Sequence, residues 1–224
     1  MFNNNVLTNP RTTWPDRSHL DRNHVLQQAI NVFWLQGYTA TSIKNLVDAT
    51  GLQPGSLYAA FGDKRGLFLA ALDAYFDDMK KKLFDVLHSD KAPLERLRAF
   101  FTQLIEESTE DQDRKGCLLI NTLSEIPVQH EDINSRLQQM FAEVEQELKQ
   151  LLTEAQNADE LSADQDPTVL TKFLVSGIFG LRLYNKTGAD SASLQAIVDQ
   201  LLSPFSSLAT HGKADNHRKP GLAH

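Results

Sequence analysis

Two adjacent hydroxyl residues, Thr41 and Ser42, and a lysine, Lys64, stand on either side of "GLQPGSLYAAF", residues 51–61. In that stretch Gly51, Pro54 and Gly55 crowd ahead of a short aromatic run. Hydroxyls at a helix start and a lysine ammonium hydrogen-bond and neutralise phosphate oxygens. A helix that begins with Pro54-Gly55 is slim at its N-terminus, so it fits a major groove and turns backbone N–H groups toward an anion. Once Leu57 and Phe61 face inward, Gln53, Ser56, Tyr58, Ala59 and Ala60 remain for the outer face. The chemistry open to this set is contact with duplex DNA.

A second set lies in "DRKGCLLINTLSEI", residues 113–126. Cys117, the single cysteine, follows Arg114 and Lys115 at a helix start, where both cations and the helix end favour thiolate. Lys186 is a candidate neighbour. Two readings stand side by side: a redox or electrophile sensor, or a small buried hydrophobe leading into Leu118, Leu119 and Ile120. Phe100, Phe101, Asn121, Glu125, Phe141, Phe173 and Tyr184 likewise either line a cavity or fill a core and its wet edge. No H-E-x-x-H, C-x-x-C, G-x-S-x-G or phosphate-binding loop occurs, so neither enzyme chemistry nor a cofactor or metal is expected. His211, His217 and His224 fall in a tail, and the Asp77-Asp78 and Glu106-Glu107 pairs diverge on their helices.

These residues need elements to hold them, and apolar residues recur at helical spacing almost throughout. Leu26, Ala29, Ile30 and Phe33 mark a first helix that stops at Gly37. Thr41 or Ser42 caps a short second one with Ile43, Leu46 and Val47 inside, and Gly51 ends it. Pro54 opens a third, and Asp63 caps a long fourth through Phe68, Leu72 and Met79. Pro93 opens a fifth; a short sixth covers about 116–125; a seventh runs through Ile133, Leu137, Met140 and Leu148. Asp166-Pro167 starts an eighth helix that is apolar on more than one face, and a ninth begins near Ser193. The expected fold is all-α, with about nine helices and disordered ends. The two faces of the eighth helix and the stripe of the ninth call for a twofold dimer through these last two helices.

The chain has 224 residues and a net charge of −7, with 41% hydrophobic residues. Residues 1–66 hold a basic excess of two, from Arg11, Arg17, Arg22, Lys44, Lys64 and Arg65, so the remainder carries −9. A basic head on an acidic body fits a protein that meets phosphate only with its head. No signal peptide or membrane span is read, and one cysteine fits a reducing compartment, hence a cytoplasmic setting with no membrane partner.

"GYTATSIKNLVDATGLQPGSLYAAFGDKRGLF", residues 37–68, resembles the DNA-binding region of the TetR family of bacterial transcriptional regulators. The matching elements are Gly37-Tyr38, Thr41-Ser42-Ile43, Gly51-Leu52, Gly55-Ser56-Leu57-Tyr58, Phe61, and Lys64 with Leu67. The resemblance implies phosphate contacts from Thr41, Ser42, Tyr58 and Lys64, and base reading by Gln53, Gly55, Ser56 and Ala59. It implies an arm over 1–18, a helix-turn-helix domain over 19–66, a ligand-binding and dimerisation domain over 67–208, and a tail over 209–224. Its partners would be a palindromic double-stranded DNA operator, a small-molecule effector and a second copy of the chain. The pocket expectation is Phe101, Cys117, Asn121, Phe141, Phe173 and Tyr184. Gln53 replaces a better-capping serine, and Ala59 and Ala60 leave readout to methyl contacts and DNA shape. An activator using the same head, or a helical scaffold without operator binding, are the alternatives.

Overall fold

The turn signals fall where the chain turns. In the computed structural model, which describes residues 18–111 and 113–205, α1 (Ser18–Gln36) ends at Gly37 and α2 (Ile43–Thr50) begins behind Ser42. Ser42 closes a capping box with Asn45, and Gly51 terminates α2 with φ 70°. Pro54 fills the first position of α3 (Pro54–Phe61), but Gln53 makes no side-chain cap, as its residue type predicts. The Asp63 carboxylate accepts from Gly66 N–H to start α4 (Lys64–Leu87). Gly66 is obligatory, because a Cβ there would lie 2.0 Å from the Phe61 carbonyl oxygen.

The body follows as α5 (Pro93–Glu110), α6 (Leu118–Glu125), α7 (Glu131–Asn157), α8 (Pro167–Asn185) and α9 (Ser191–Leu202), closed by a 3₁₀ turn (Ser203–Phe205). Asp166 and Asp190 cap α8 and α9 through N–H groups of Thr168 and Ser193, each cap contributing about 1 kcal/mol. Among the described residues no strand occurs, and no helix is long and apolar enough to cross a membrane. The expected N-terminal arm and C-terminal tail, and with it His211, His217 and His224, lie outside the described residues.

Two hydrophobic clusters run along the molecule, and their division is not the 66/67 boundary. One holds the head: Phe33, Leu46, Leu57, Phe68 and Leu72 pack with Leu119, Ile126, Ile133, Leu137 and Met140 of the body. The other fills the far end, from Leu83 of α4 through Phe101, Leu151, Leu174 and Val198. One helix of 19 residues and two of eight leave much of their apolar surface uncovered, and α4, α6 and the start of α7 complete the core.

Candidate nucleic-acid interface and the cavity behind it

α3 is held by its inner face. Leu57 is buried, and Phe61 is half-buried beneath the Arg22 guanidinium, 5.6 Å from its ring centre. The outer face carries Gln53, Gly55, Ser56, Tyr58 and Ala59, all exposed, with Tyr58 at 46%. A tyrosine body left in solvent on a rigid short helix is a group free to meet a partner. Ala60, expected outside, is half-buried.

The phosphate set divides. Ser42 is exposed, and Lys44, two residues on, is 82% exposed and paired with Asp48 at 2.6 Å. The Ser42 hydroxyl donates to Asn45 Oδ1 at 2.5 Å and accepts from Asn45 N–H, so it works first as a cap. Thr41 departs from expectation: it is 2% exposed, and its hydroxyl donates to the Gly37 carbonyl at 2.6 Å. Lys64 departs as well. Its ammonium donates to the carbonyls of Tyr38 (2.9 Å) and Thr41 (2.8 Å) and lies 4.5 Å from the Tyr38 ring centre. Both residues brace the turn between α1 and α2, because that turn leaves carbonyls pointing inward that need donors.

The turn has a second brace that no sequence pattern marked. Glu125, the last residue of α6, accepts from the backbone N–H groups of Tyr38 (3.0 Å) and Thr39 (2.6 Å). A Cβ at Gly37, which has φ 79°, would come within 2.6 Å of Glu125 Oε2, so glycine is what admits the carboxylate. The body thereby grips the head at the residues leading into α2. Glu125 was counted as a pocket-side polar residue; it sits at the opposite end of α6.

The other end of α6 meets a cavity of about 40 Å³, lined by Phe84, Phe100, Cys117, Phe141, Val175 and Phe179 among others. Cys117 is the N-cap of α6, 7% exposed, and its sulfur accepts from the Tyr75 hydroxyl at 3.8 Å. Burial, and then the sulfur beside it, raise the Tyr75 pKa well above 10.0. Phe141 and Phe179 pack against each other in the cavity wall, with ring centres 4.9 Å apart.

Of the six residues of the pocket expectation, Cys117 and Phe141 line this cavity, as does Phe100 of the wider set of candidates. Phe101 is fully buried in the far core, edge-on to Phe100. Asn121 donates to the Lys115 carbonyl and accepts from the Lys186 ammonium at 2.9 Å, so Lys186 is engaged there and not with Cys117. Phe173 (45%) and Tyr184 (46%) point to solvent with Val169 and Leu183. The cations beside Cys117 in sequence turn away: Lys115 lies over Trp34, and Arg114 lies against Gly188. Arg182 is the cation that reaches the cavity wall, held by Glu107 at 2.6 Å.

A braced helix-turn-helix head with an exposed short third helix, carried on a helical body, is the architecture of a helix-turn-helix transcriptional regulator. The sequence comparisons agree. Residues 25–71 match the model for bacterial regulatory proteins of the tetR family, and residues 93–201 that for a tetracyclin repressor-like C-terminal domain. The chain belongs to the TetR family of helix-turn-helix transcriptional regulators. It is 33% identical to the HTH-type transcriptional repressor ComR of Escherichia coli (strain K12), over 81% of this chain and 87% of that one. It is 32% identical to the transcriptional regulator AcuR of Cereibacter sphaeroides, over 70% and 72%. A cysteine-substituted form of the TetR family regulator CifR, solved with 26-bp operator DNA, superposes with TM-score 0.75 at 29% identity, covering 81% of this chain and 95% of that one.

Proposed function

We propose that the protein is a homodimeric repressor that binds a palindromic operator through α3 and leaves it when a small, largely apolar molecule enters the cavity beside Cys117. The observation that carries this reading is the α3 face itself: Gln53, Gly55, Ser56, Tyr58 and Ala59 are exposed together on a helix whose inner residues are pinned. Tyr58 and Ser42 are the side chains best placed for phosphate. Gln53, Gly55, Ser56 and Ala59 form a low-relief surface suited to close approach, thymine methyl contacts and shape reading. The solved operator complex of CifR, and the repressor names of relatives such as ComR, support repression.

Dimerisation rests on the outer face of α8. Val169, Phe173, Leu183 and Tyr184, with Ile197 of α9, are large apolar residues in solvent, which a second copy would cover. The pairing would set two α3 helices for successive major grooves, about 34–36 Å apart.

The route from cavity to head is α6. Its first turn is walled by the cavity, and its last residue grips Tyr38 and Thr39. A ligand larger than the 40 Å³ cavity displaces this helix, and the brace on α2 moves with it. Cys117 supports a second, reagent-driven form of the same switch, because it is among the residues that line the cavity. Alkylation that leaves operator affinity unchanged would remove that form.

The deciding experiment is selection of bound sequences from a random duplex pool, with Tyr58→Ala in parallel. An enriched palindrome that the variant loses supports the reading. No enrichment at low salt from a folded dimer would refute it and favour a helical ligand-binding protein.

A further inference from the structure

A larger, more polar cleft, of about 300 Å³, opens where α1 of the head meets α4, the connection from α5 to α6, and α8. Trp34 and Tyr75 supply two aromatic rings, edge to face at 4.9 Å. Glu110 and Asp111 supply carboxylates; Asp78 accepts from Gln27 Nε2 at 3.0 Å, Glu107 is neutralised by Arg182, and Lys82 is the second lysine of the lining. Aromatic faces flanked by carboxylates are the surroundings in which an organic cation is held after losing its water.

The chain itself shows where such a cation goes. The Lys115 ammonium lies 4.7 Å from the Trp34 ring centre. Its nearest carboxylate partner, Asp113, is 3.9 Å away, a weak pairing. Lys115 stands between Arg114 and Gly116, both at positive φ, in the α5–α6 connection, with its side chain 21% exposed. Two further groups are not served by the protein: Trp34 Nε1, a donor, and Asp111 Oδ1, an acceptor, are buried without a hydrogen-bond partner in the chain. The other Asp111 oxygen accepts from Gly116 N–H at 2.9 Å and holds the carboxylate in place.

We propose that this cleft is a second ligand site, for a small organic ammonium ion carrying a hydroxyl or carbonyl oxygen. The ammonium takes the position of Lys115 over Trp34, and the ligand oxygen accepts from Trp34 Nε1. A hydroxyl or N–H of the ligand donates to Asp111 Oδ1. Met79 and Arg182 line both this cleft and the apolar cavity, so the two sites share a wall, and α1 gives the cleft its head-side face.

The test needs no DNA, so its outcome is independent of the operator reading. Of the two tryptophans, Trp14 is replaced by phenylalanine, leaving Trp34 as the reporter. Choline and ethanolamine are titrated into the full-length dimer or monomer as purified, with acetate and ethylene glycol as controls. The expected result is a saturable change in Trp34 fluorescence with the two cations only. Lys115→Met, which keeps a stem and removes the competing charge, binds about five-fold more tightly, and Asp111→Asn binds more weakly. Lys115→Gln replaces the methionine variant if its melting curve shows loss of fold. A linear, unsaturable response to tens of millimolar cation in both the parent and the Lys115 variant overturns the proposal. So does an equal response to acetate.

Discussion

Replacing Gly37 by alanine will cost less stability in a chain that lacks the Glu125 carboxylate than in one that has it. The left-handed backbone at Gly37 costs alanine about 1–2 kcal/mol whatever surrounds it. A Cβ there would also stand 2.6 Å from Glu125 Oε2, and the carboxylate, at the end of a flexible side chain, withdraws. It thereby loses the N–H groups of Tyr38 and Thr39. Both N–H groups can turn to water, so the pair of bonds contributes about 1–2 kcal/mol. Glu125→Ala alone should then cost ~1–2 kcal/mol and Gly37→Ala ~2–4 kcal/mol, while the double variant costs ~2–4 kcal/mol, short of the sum by ~1–2 kcal/mol. Urea unfolding of the four chains measures this, and each kcal/mol also moves Tm by about 2–4 °C in a protein of this size. Operator affinity should fall in step in both single variants, because both release the same turn. Costs that add to within about 0.5 kcal/mol would show that the carboxylate does not hold the turn.

Lys64→Ala should lower stability by about 1–3 kcal/mol through the Tyr38 and Thr41 carbonyls and the Tyr38 ring, while leaving the salt dependence of DNA binding unchanged. A slope of log K against log[salt] shallower by about 0.9 would return Lys64 to the phosphate contacts. Phe173→Glu places a charge on an exposed apolar face, so sedimentation should report a folded monomer; an undiminished dimer would move the interface off α8. The Arg96 guanidinium, and then Gln150, hold the Glu154 carboxyl below its ordinary 4.5. A lowered folded-state pKa means the stabilisation is complete above 4.5 and is lost as pH falls through the lower value. Glu154→Gln should therefore be less stable than the parent at neutral pH and converge with it in acid; a pH-independent gap would assign the difference to packing.

What the sequence revealed and what it concealed follow from how far each cause reaches along the chain. The exposed face of α3 was legible because Pro54, Leu57 and Phe61 set the helix start and its inner side within one segment, although Ala60 proved half-buried. The caps Ser42, Asp63 and Asp166 were equally local, the first marked only to within a residue, whereas the Asp190 cap of α9 went unmarked because that helix was expected to begin near Ser193. Thr41 and Lys64 have the residue types of phosphate ligands, but their donors are claimed by carbonyls that only the folded turn from Gly37 brings inward. Glu125 meets its partners across 87 and 86 residues, and no periodicity reaches that far. In α8, apolar on nearly every face, spacing could not choose between Phe173 and Phe179, and only packing against α7 turned Phe179 to the cavity. Neighbouring Phe100 and Phe101 are both buried, so the sequence could not say which one the cavity would expose.

The head's hydrophobic interior is finished by Ile126, Ile133, Leu137 and Met140, all contributed from beyond α4. Residues 18–66 are therefore not a detachable cassette. Cutting them out would strand Phe33 and Leu46 against water, and grafting them onto another body would demand that body's matching relief. On the proposed reading, changes in operator preference would accumulate on the outer face of α3 one residue at a time, whereas a transplanted head would need a body that supplies the contacts of Ile126, Ile133, Leu137 and Met140.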